Sequence, residues 1–469
     1  MRRTRIVATL GPATRDPATV RGVVEAGADV VRLNAAHDRP DVHVATAATA
    51  REQAGTVGVT VGVLVDLPGP KMRTGAVVDG EVELEPGAIF VLGPTEGPGD
   101  AGRVATTIPE LASFVGPGDD IYLADGAIAL HVTRVDGDDV VTDVVRGGAL
   151  RSRKGMFVPG AERRVPPFTA ADEAALDMAA AIGADFVGLS FVRSADDVAA
   201  MRRRVSAHPR PPQLVAKIET RAALGDLTAI VAAADAVMVA RGDLGIQVDL
   251  ARVALLQKEI IQVCNLSGTP VITATQMLES MTDAPLPTRA EVTDVANAVL
   301  DGTDALMLSE ETAVGAYPVQ TVTTMARVAV AAEAWPRARA TPAGALGGDD
   351  ATGWAVAHAA IAAAEDLGVA AILSPTRTGA TPRRLAAFRP RVPIVALSPS
   401  EHVLAGLGVT WGVQACRGSE SGDTDDVVER AIDDARAAGL VQQGRLVAVV
   451  AGSPGSGAGT TDLVRVVRA

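Results

Sequence analysis

The sequence predicts an α/β protein: a (β/α)8 barrel that carries an inserted small β-barrel and is followed by a separate α/β domain. Three observations predict it. From residue 5 to residue 334, valine-rich apolar runs alternate with helical segments, and eight such strand–helix units can be counted. The runs are continuous rather than alternating, as expected of parallel strands buried on both faces. Between residues 71 and 153 the rhythm changes to short alternating segments among Gly and Asp, which suggests a small antiparallel barrel. Beyond a small-residue linker at 340–350, about 120 residues form a second α/β alternation, long enough to stand alone.

The first strand, 5–11, ends in Gly-Pro. A helix from Asp16 to Gly27 follows, with Asp16 as N-cap, Pro17 at the first position and Gly27 at the stop. Residues 29–33 form the second strand, ending in Arg32-Leu33-Asn34-Ala35-Ala36-His37. A helix at 40–54 leads to the third strand, 59–65, which ends in Asp66. The alternation resumes near Pro159, with helices at 169–182 and 196–207 around a strand at 184–191. Strands then begin at 213, 237, 270 and 305, separated by helices that include 252–267 and 289–300, and a last helix covers 319–334. The barrel is therefore assigned to 1–69 and 157–339, the insertion to 70–156, the linker to 340–350 and the C-terminal domain to 351–469. Strands of that last domain are expected at 369–373, 392–397, 409–414 and 446–450.

Composition narrows the function. The net charge of −13 argues against non-specific nucleic-acid binding, so an anionic ligand needs a local cluster of cations. Two cysteines, Cys264 and Cys416, make no disulfide framework and suggest a reducing cytoplasm. The N-terminal residues lead into a strand without a signal-peptide run, and no apolar stretch is long enough to span a bilayer. Lysine occurs only at 71, 154, 217 and 258, which gives weight to those inside motifs.

One stretch organises the chain: Ala216-Lys217-Ile218-Glu219, then Val237-Met238-Val239-Ala240-Arg241-Gly242-Asp243-Leu244-Gly245. Strand side chains alternate faces, so Lys217 and Glu219 share a side. Asp243 closes the next strand, and neighbouring parallel strands end side by side. Singly these are ordinary surface charges; together they mark a site at the mouth of a barrel. The polar residues at strand ends are Arg32, Asn34, His37, Asp66, Arg73, Lys217, Glu219, Arg241, Asp243, Thr275, Ser309 and Glu311. Three arginines and a lysine at one mouth fit a phosphorylated, carboxylate-bearing substrate, because guanidinium forks hold such groups in bidentate fashion. Glu219 and Asp243 suit magnesium, which takes one or two carboxylates and fills its shell with substrate oxygens and water. Metal and cations around phosphate point to phosphoryl transfer, and the chain has no Walker loop. His37 is equally a ligand contact or a structural turn residue.

These motifs, with Thr273-Ala274-Thr275-Gln276-Met277-Leu278-Glu279-Ser280-Met281 and Pro287-Thr288-Arg289-Ala290-Glu291, resemble pyruvate kinase over nearly the whole chain. The resemblance implies a cytoplasmic glycolytic enzyme moving phosphate from phosphoenolpyruvate to ADP, with the insertion as a lid and a homotetrameric assembly. It implies that Lys217, Arg32, Arg73 and Thr275 are catalytic, and that Arg32, Gly242, Asp243, Thr275 and Ser309 bind the substrate. Asn34, His37 and Arg73 then contact the nucleotide, and Glu219 and Asp243 hold Mg2+ or Mn2+. A binding or regulatory paralogue and a metal-dependent aldolase are the other readings; the intact Lys217, Glu219, Asp243 and Thr275 oppose the first, the insertion and the extra domain the second.

The sequence departs from the family at Ala35-Ala36-His37-Asp38, where Phe-Ser-His-Gly is usual, at Ser194, and at Ser309-Glu310-Glu311. The family's monovalent-cation ligands match Asn34, Ala36 and Asp66 with the carbonyl of Leu67, so one hydroxyl is missing. A lysine, Lys71, stands where the family has glutamate, as in its potassium-independent members. Lys71, with Asn34 and Asp66, is therefore expected to replace potassium, which the enzyme should not require. In the C-terminal domain a strand runs into Thr376-Arg377-Thr378-Gly379-Ala380-Thr381, a hydroxyl-rich loop opening a helix. Such a loop is an anion site or an ordinary N-cap. It also resembles the family's effector loop, so a phosphorylated metabolite is expected at Thr376, Arg377, Thr378, Gly379 and Thr381, with the segment 452–459 folding over it.

Overall fold

The computed structural model describes residues 2–108, 110–124, 126–160, 166–335, 350–419, 424–453 and 459–469. The expected linker at 340–350 lies outside the described residues except for Asp350, as does most of the segment 452–459.

Eight parallel strands close into a barrel: Arg5–Thr9, Val30–Asn34, Gly62–Asp66, Phe186–Leu189, Gln213–Ile218, Ala236–Ala240, Val271–Ala274 and Ala305–Leu308. Their registers step regularly, with Asn34 beside Asp66, Gly188 beside Asp66 and Ile218 beside Val239. Inside, one cluster of Val7, Val30, Leu64, Phe186, Val215 and Met238 fills the barrel; outside, Val31, Val63, Val187, Leu214 and Val237 pack on the helices. Both faces are thus apolar, which is why the strands read as unbroken runs.

The helix caps follow their sequence signals. Asp16 accepts from the Thr19 amide at the start of Pro17–Glu25. Thr169 and Asp172, and again Thr288 and Glu291, form reciprocal capping boxes. Each such cap contributes about 1 kcal/mol.

After Asp66 the chain leaves the barrel for two small sheets, one of two strands and one of six, around a shared core that includes Phe90, Leu92, Ile121, Leu130 and Leu150. The long hairpin Ile128–Asp136 and Asp139–Arg146 is its backbone. The C-terminal domain is a five-stranded sheet, with four parallel strands and the antiparallel edge strand Leu463–Arg468, which had no counterpart in the sequence reading.

The C-terminal domain grips the underside of the barrel. Val409, expected in a strand, is instead buried in the barrel-interior cluster and plugs the N-terminal end of the strands. Arg389 makes paired bonds of 2.8 and 2.9 Å to Asp304, beside the eighth strand, and stacks on Trp411 with Arg3 on the same ring. His402 lies 3.1 Å from Asp185, below the fourth strand. Among the described residues no helix is long and apolar enough to cross a membrane.

Candidate active site

The upper end of the barrel holds a buried charge cluster. Lys217, at the end of the fifth strand, is 9 % exposed, and Glu219 just beyond it is fully buried. The Lys217 ammonium lies 3.3 Å from Asp66 Oδ1 and 3.5 Å from Glu219 Oε2, and donates to Ser190 Oγ at 2.6 Å. Arg32 closes the other side, with Nε and Nη2 at 2.8 and 2.6 Å from Asp66 Oδ2 and Nη1 donating to Thr9 Oγ1 at 3.0 Å. Two cations therefore face two carboxylates in a largely buried cluster.

The electrostatics are uneven. Burial pushes the Asp66 carboxyl up, but Lys217 and Arg32 outweigh it and hold it below the usual carboxylate range. Burial pulls the Lys217 ammonium down, and Asp66 and Glu219 more than restore it. Glu219 is left short of compensation: burial dominates Lys217, with Asp243 adding repulsion, and its pKa rises to about 7. Its Oε1 accepts from the Phe191 amide at 2.5 Å, while Oε2 is buried with no hydrogen-bond partner among the described residues. A carboxylate oxygen so placed, with a second carboxylate in electrostatic range, fits a divalent cation that takes few protein ligands. No group of three or more His, Cys, Asp or Glu gathers into a metal cage among the described residues.

Asp243 was expected to close the sixth strand. That strand ends at Ala240, and Asp243 sits on the first turn of the helix Arg241–Gln247. Its Oδ1 is 2.6 Å from the Lys71 ammonium, which also lies 6.0 Å from the Phe191 ring centre. Lys71 thus reaches Asp243; no hydrogen bond or ion pair joins it to Asn34 or Asp66 among the described residues, and Asp66 is instead flanked by Arg32 and Lys217.

Thr275 and Gly242 meet as expected: the Gly242 amide donates to Thr275 Oγ1 at 2.9 Å, and Thr275 Oγ1 donates to the Ala274 carbonyl. Thr275, Gln276 and Phe191 all have positive φ, of 67°, 53° and 57°. Such backbone costs about 1–3 kcal/mol per residue and gathers at functional sites. Ser309 Oγ is buried without a hydrogen-bond partner among the described residues, while its amide donates to Glu311 Oε2 at 2.6 Å. Glu311, counted among the strand-end groups, ties the loop together by accepting also from the Leu278 amide.

Arg241 departs from its expected place. Its guanidinium turns inward to Asp294 at 2.7 Å and to the carbonyls of Ala274 and Thr275, so the mouth loses one arginine. Asn34 ends the second strand and His37 lies just beyond the turn that follows; Asn34 Oδ1 accepts from the Ala36 amide, and His37 is exposed. Arg73 stands on the insertion, its guanidinium 3.2 Å from the Arg153 carbonyl and without a contact to the barrel cluster among the described residues. A cleft between insertion and barrel is lined by Lys71, Tyr122, Phe157, Phe191, Asp243 and Gln247.

Three residues escaped the sequence reading: Thr9, Ser190 and Phe191. Ser190-Phe191-Val192-Arg193 begins as the fourth strand stops, so strand-end position was the available signal. None of the three side chains carries a charge to draw attention.

The comparisons agree over the full length. The family described as pyruvate kinase, barrel domain, matches residues 1–322, and the pyruvate kinase alpha/beta domain matches 354–467. The chain is 41 % identical over 473 residues to the pyruvate kinase of Geobacillus stearothermophilus, covering 99 % of this chain and 80 % of that one. It is 40 % identical to that of Mycobacterium tuberculosis, covering 100 % and 98 %. For Clostridium acetobutylicum the identity is 37 %, with 99 % of each chain covered. Two family models spanning barrel and C-terminal domain, and relatives matched nearly end to end, leave one conclusion: the chain belongs to the pyruvate kinase family.

Proposed function

We infer that the protein is a phosphotransferase that moves the phosphoryl group of phosphoenolpyruvate to ADP, giving pyruvate and ATP. The observation that carries this is the Lys217 ammonium, buried between Asp66 and Glu219 at the barrel mouth. In the reaction the enol P–O bond breaks, a P–O bond to the terminal ADP oxygen forms, and the enolate takes a proton at its methylene carbon. A loose phosphoryl transition state needs positioning and charge stabilisation more than covalent help. Lys217 supplies a desolvated positive charge to the phosphoryl oxygens, and Arg32 a second one from a guanidinium fixed by Asp66 and Thr9. Thr275 and the Gly242 amide, bonded to one another beside the cluster, are assigned to the substrate carboxylate, which would take over the hydrogen bonds they now make to Thr275 and Ala274. Ser309 adds an uncommitted hydroxyl. Asn34, His37 and Arg73 border the mouth from the second-strand turn and the insertion and are assigned to ADP.

Glu219 and Asp243 are the residues that fit magnesium or manganese, which when bound supplies Lewis-acid charge to the phosphate and carboxylate oxygens. Lys71 is assigned as the tethered substitute for potassium; its ammonium against Asp243 supports a fixed charge at this site, and potassium is then not required. The segment 70–156, between the two barrel parts 1–69 and 157–339, acts as a lid that excludes water and limits hydrolysis.

In the C-terminal domain, 351–469, the loop before the helix Ala380–Ala387 is assigned to a phosphorylated effector. Gly379, with φ of 80°, turns the chain, and Arg383 and Arg384 stand at its base. Thr376 Oγ1 accepts from the Gly379 amide and Thr378 Oγ1 from the Ala380 amide, so the loop is preshaped by its own hydroxyls. A cytoplasmic homotetramer completes the proposal. The direct test is pyruvate release from phosphoenolpyruvate, which should require both ADP and a divalent metal; release without ADP sinks the assignment.

A further inference from the structure

The shortest bond made by the Lys217 ammonium goes to an uncharged group. Ser190 Oγ accepts it at 2.6 Å, against 3.3 Å to Asp66 and 3.5 Å to Glu219. A serine hydroxyl has one hydrogen, and here its direction is settled: Ser190 donates to the Leu67 carbonyl at 2.7 Å. Its lone pairs are thereby turned toward Lys217. Ser190 is only 8 % exposed, which limits competition from water for both bonds.

The other end of this bridge is equally constrained. Leu67 opens the loop Leu67-Pro68-Gly69-Pro70-Lys71, which leads from the third strand to the insertion and delivers Lys71 to Asp243. The Leu67 amide donates to the Gly188 carbonyl at 3.0 Å. Gly69 passes so close that a Cβ there would stand 2.6 Å from Ser190 Cβ, and its φ of 65° favours glycine. Directly after Ser190, the Phe191 amide fixes Glu219. Ser190 and Phe191 therefore hold the lysine and the carboxylate that flank the proposed metal and phosphoryl positions.

We propose that Ser190 is a positioning residue for phosphoryl transfer: its hydroxyl aims the Lys217 ammonium and ties it to the loop that carries Lys71. An ammonium held by two carboxylates alone has a choice of directions between them. The Ser190 bond removes that choice, leaving the two remaining N–H groups pointed into the cluster. The inference rests on the phosphotransferase reading and adds a residue to it. Ser190 acts through Lys217 and is not asked to touch the substrate, so its loss should lower kcat and spare substrate affinity.

The test is steady-state kinetics on wild type, Ser190→Ala and Ser190→Cys, at saturating magnesium and below each protein's melting temperature. Alanine removes the bridge, whereas a thiol keeps the volume and is a weak acceptor. The expected result is a fall in kcat of about ten- to hundred-fold for Ser190→Ala, the scale of a small misplacement of a catalytic group. Ser190→Cys should fall between it and wild type, and KM for phosphoenolpyruvate and for ADP should stay within about threefold. Should Ser190→Ala fail to fold, Ser190→Cys decides, with a loss of at least about fivefold expected. A kcat within about twofold of wild type in a folded variant overturns the proposal, as does a rise in KM that matches the loss in kcat/KM. A wild type that makes no pyruvate from phosphoenolpyruvate overturns instead the functional reading on which it rests.

Discussion

The Lys71 ammonium stands 2.6 Å from Asp243 Oδ1, each side chain a little over a quarter exposed. A loop of five residues from the third strand thus brings a tethered ammonium to a carboxylate proposed as a metal ligand. Turnover should proceed in buffer free of potassium and ammonium, with ionic strength held by tetramethylammonium. Stimulation by potassium of about ten-fold or more, roughly 1.4 kcal/mol of barrier, contradicts the assignment. Lys71→Glu should lose activity and recover little with potassium, since Ala36 offers no hydroxyl; recovery should need Ala36→Ser as well.

Lys217→Met should abolish most turnover without unfolding the chain. The methionine matches the stem of the lysine and removes the charge, and Asp66 keeps its two bonds from Arg32. A loss of about 10²–10³ in kcat is expected for removing such a stabiliser. Near-normal turnover by the purified variant, with an unchanged circular dichroism spectrum, is the contrary result.

The barrel and the C-terminal domain should melt as partners. Arg389 is a side-chain partner of buried Asp304, and its removal leaves a carboxylate held, among the described residues, by the Val271 and Trp411 amides. Breaking a buried pair in this way costs about 3–5 kcal/mol. Arg389→Ala should therefore lower the midpoint of urea unfolding by that equivalent, whereas an unchanged midpoint shows that the junction carries little stability.

The barrel was legible because its strands are buried on both faces: the runs around Val63, Val215 and Val237 announce themselves by continuity alone. The capping residue Asp16 was equally plain, being local. What escaped was set by tertiary placement. The edge strand Leu463–Arg468 is only partly covered and reads as weakly as a loop. Val409 has the look of a strand residue, and only the docking of one domain under another makes it a plug. In the site, charge marked Lys217, Glu219 and Asp243, but not that Arg241 would turn inward to Asp294 or that Ser190 would hold the lysine. Neutral groups gain such roles from a neighbour distant in sequence, here Leu67.

For the C-terminal loop, a sugar phosphate or nucleotide should shift the phosphoenolpyruvate saturation curve of wild type. Thr378→Glu places a carboxylate in the proposed anion site and should remove that shift by like-charge repulsion. An equal shift in the two proteins contradicts the location.

The central claim is that Lys217, Glu219 and Asp243 together drive phosphoryl transfer to ADP. Its most direct measurement follows ATP and pyruvate simultaneously, from phosphoenolpyruvate, ADP and magnesium, in wild type and Glu219→Gln. Wild type should form the two products in equal amounts and stop when magnesium is chelated, and Glu219→Gln should lose at least about 10²-fold in rate. Pyruvate without matching ATP, or a Glu219→Gln variant as fast as wild type, would contradict it.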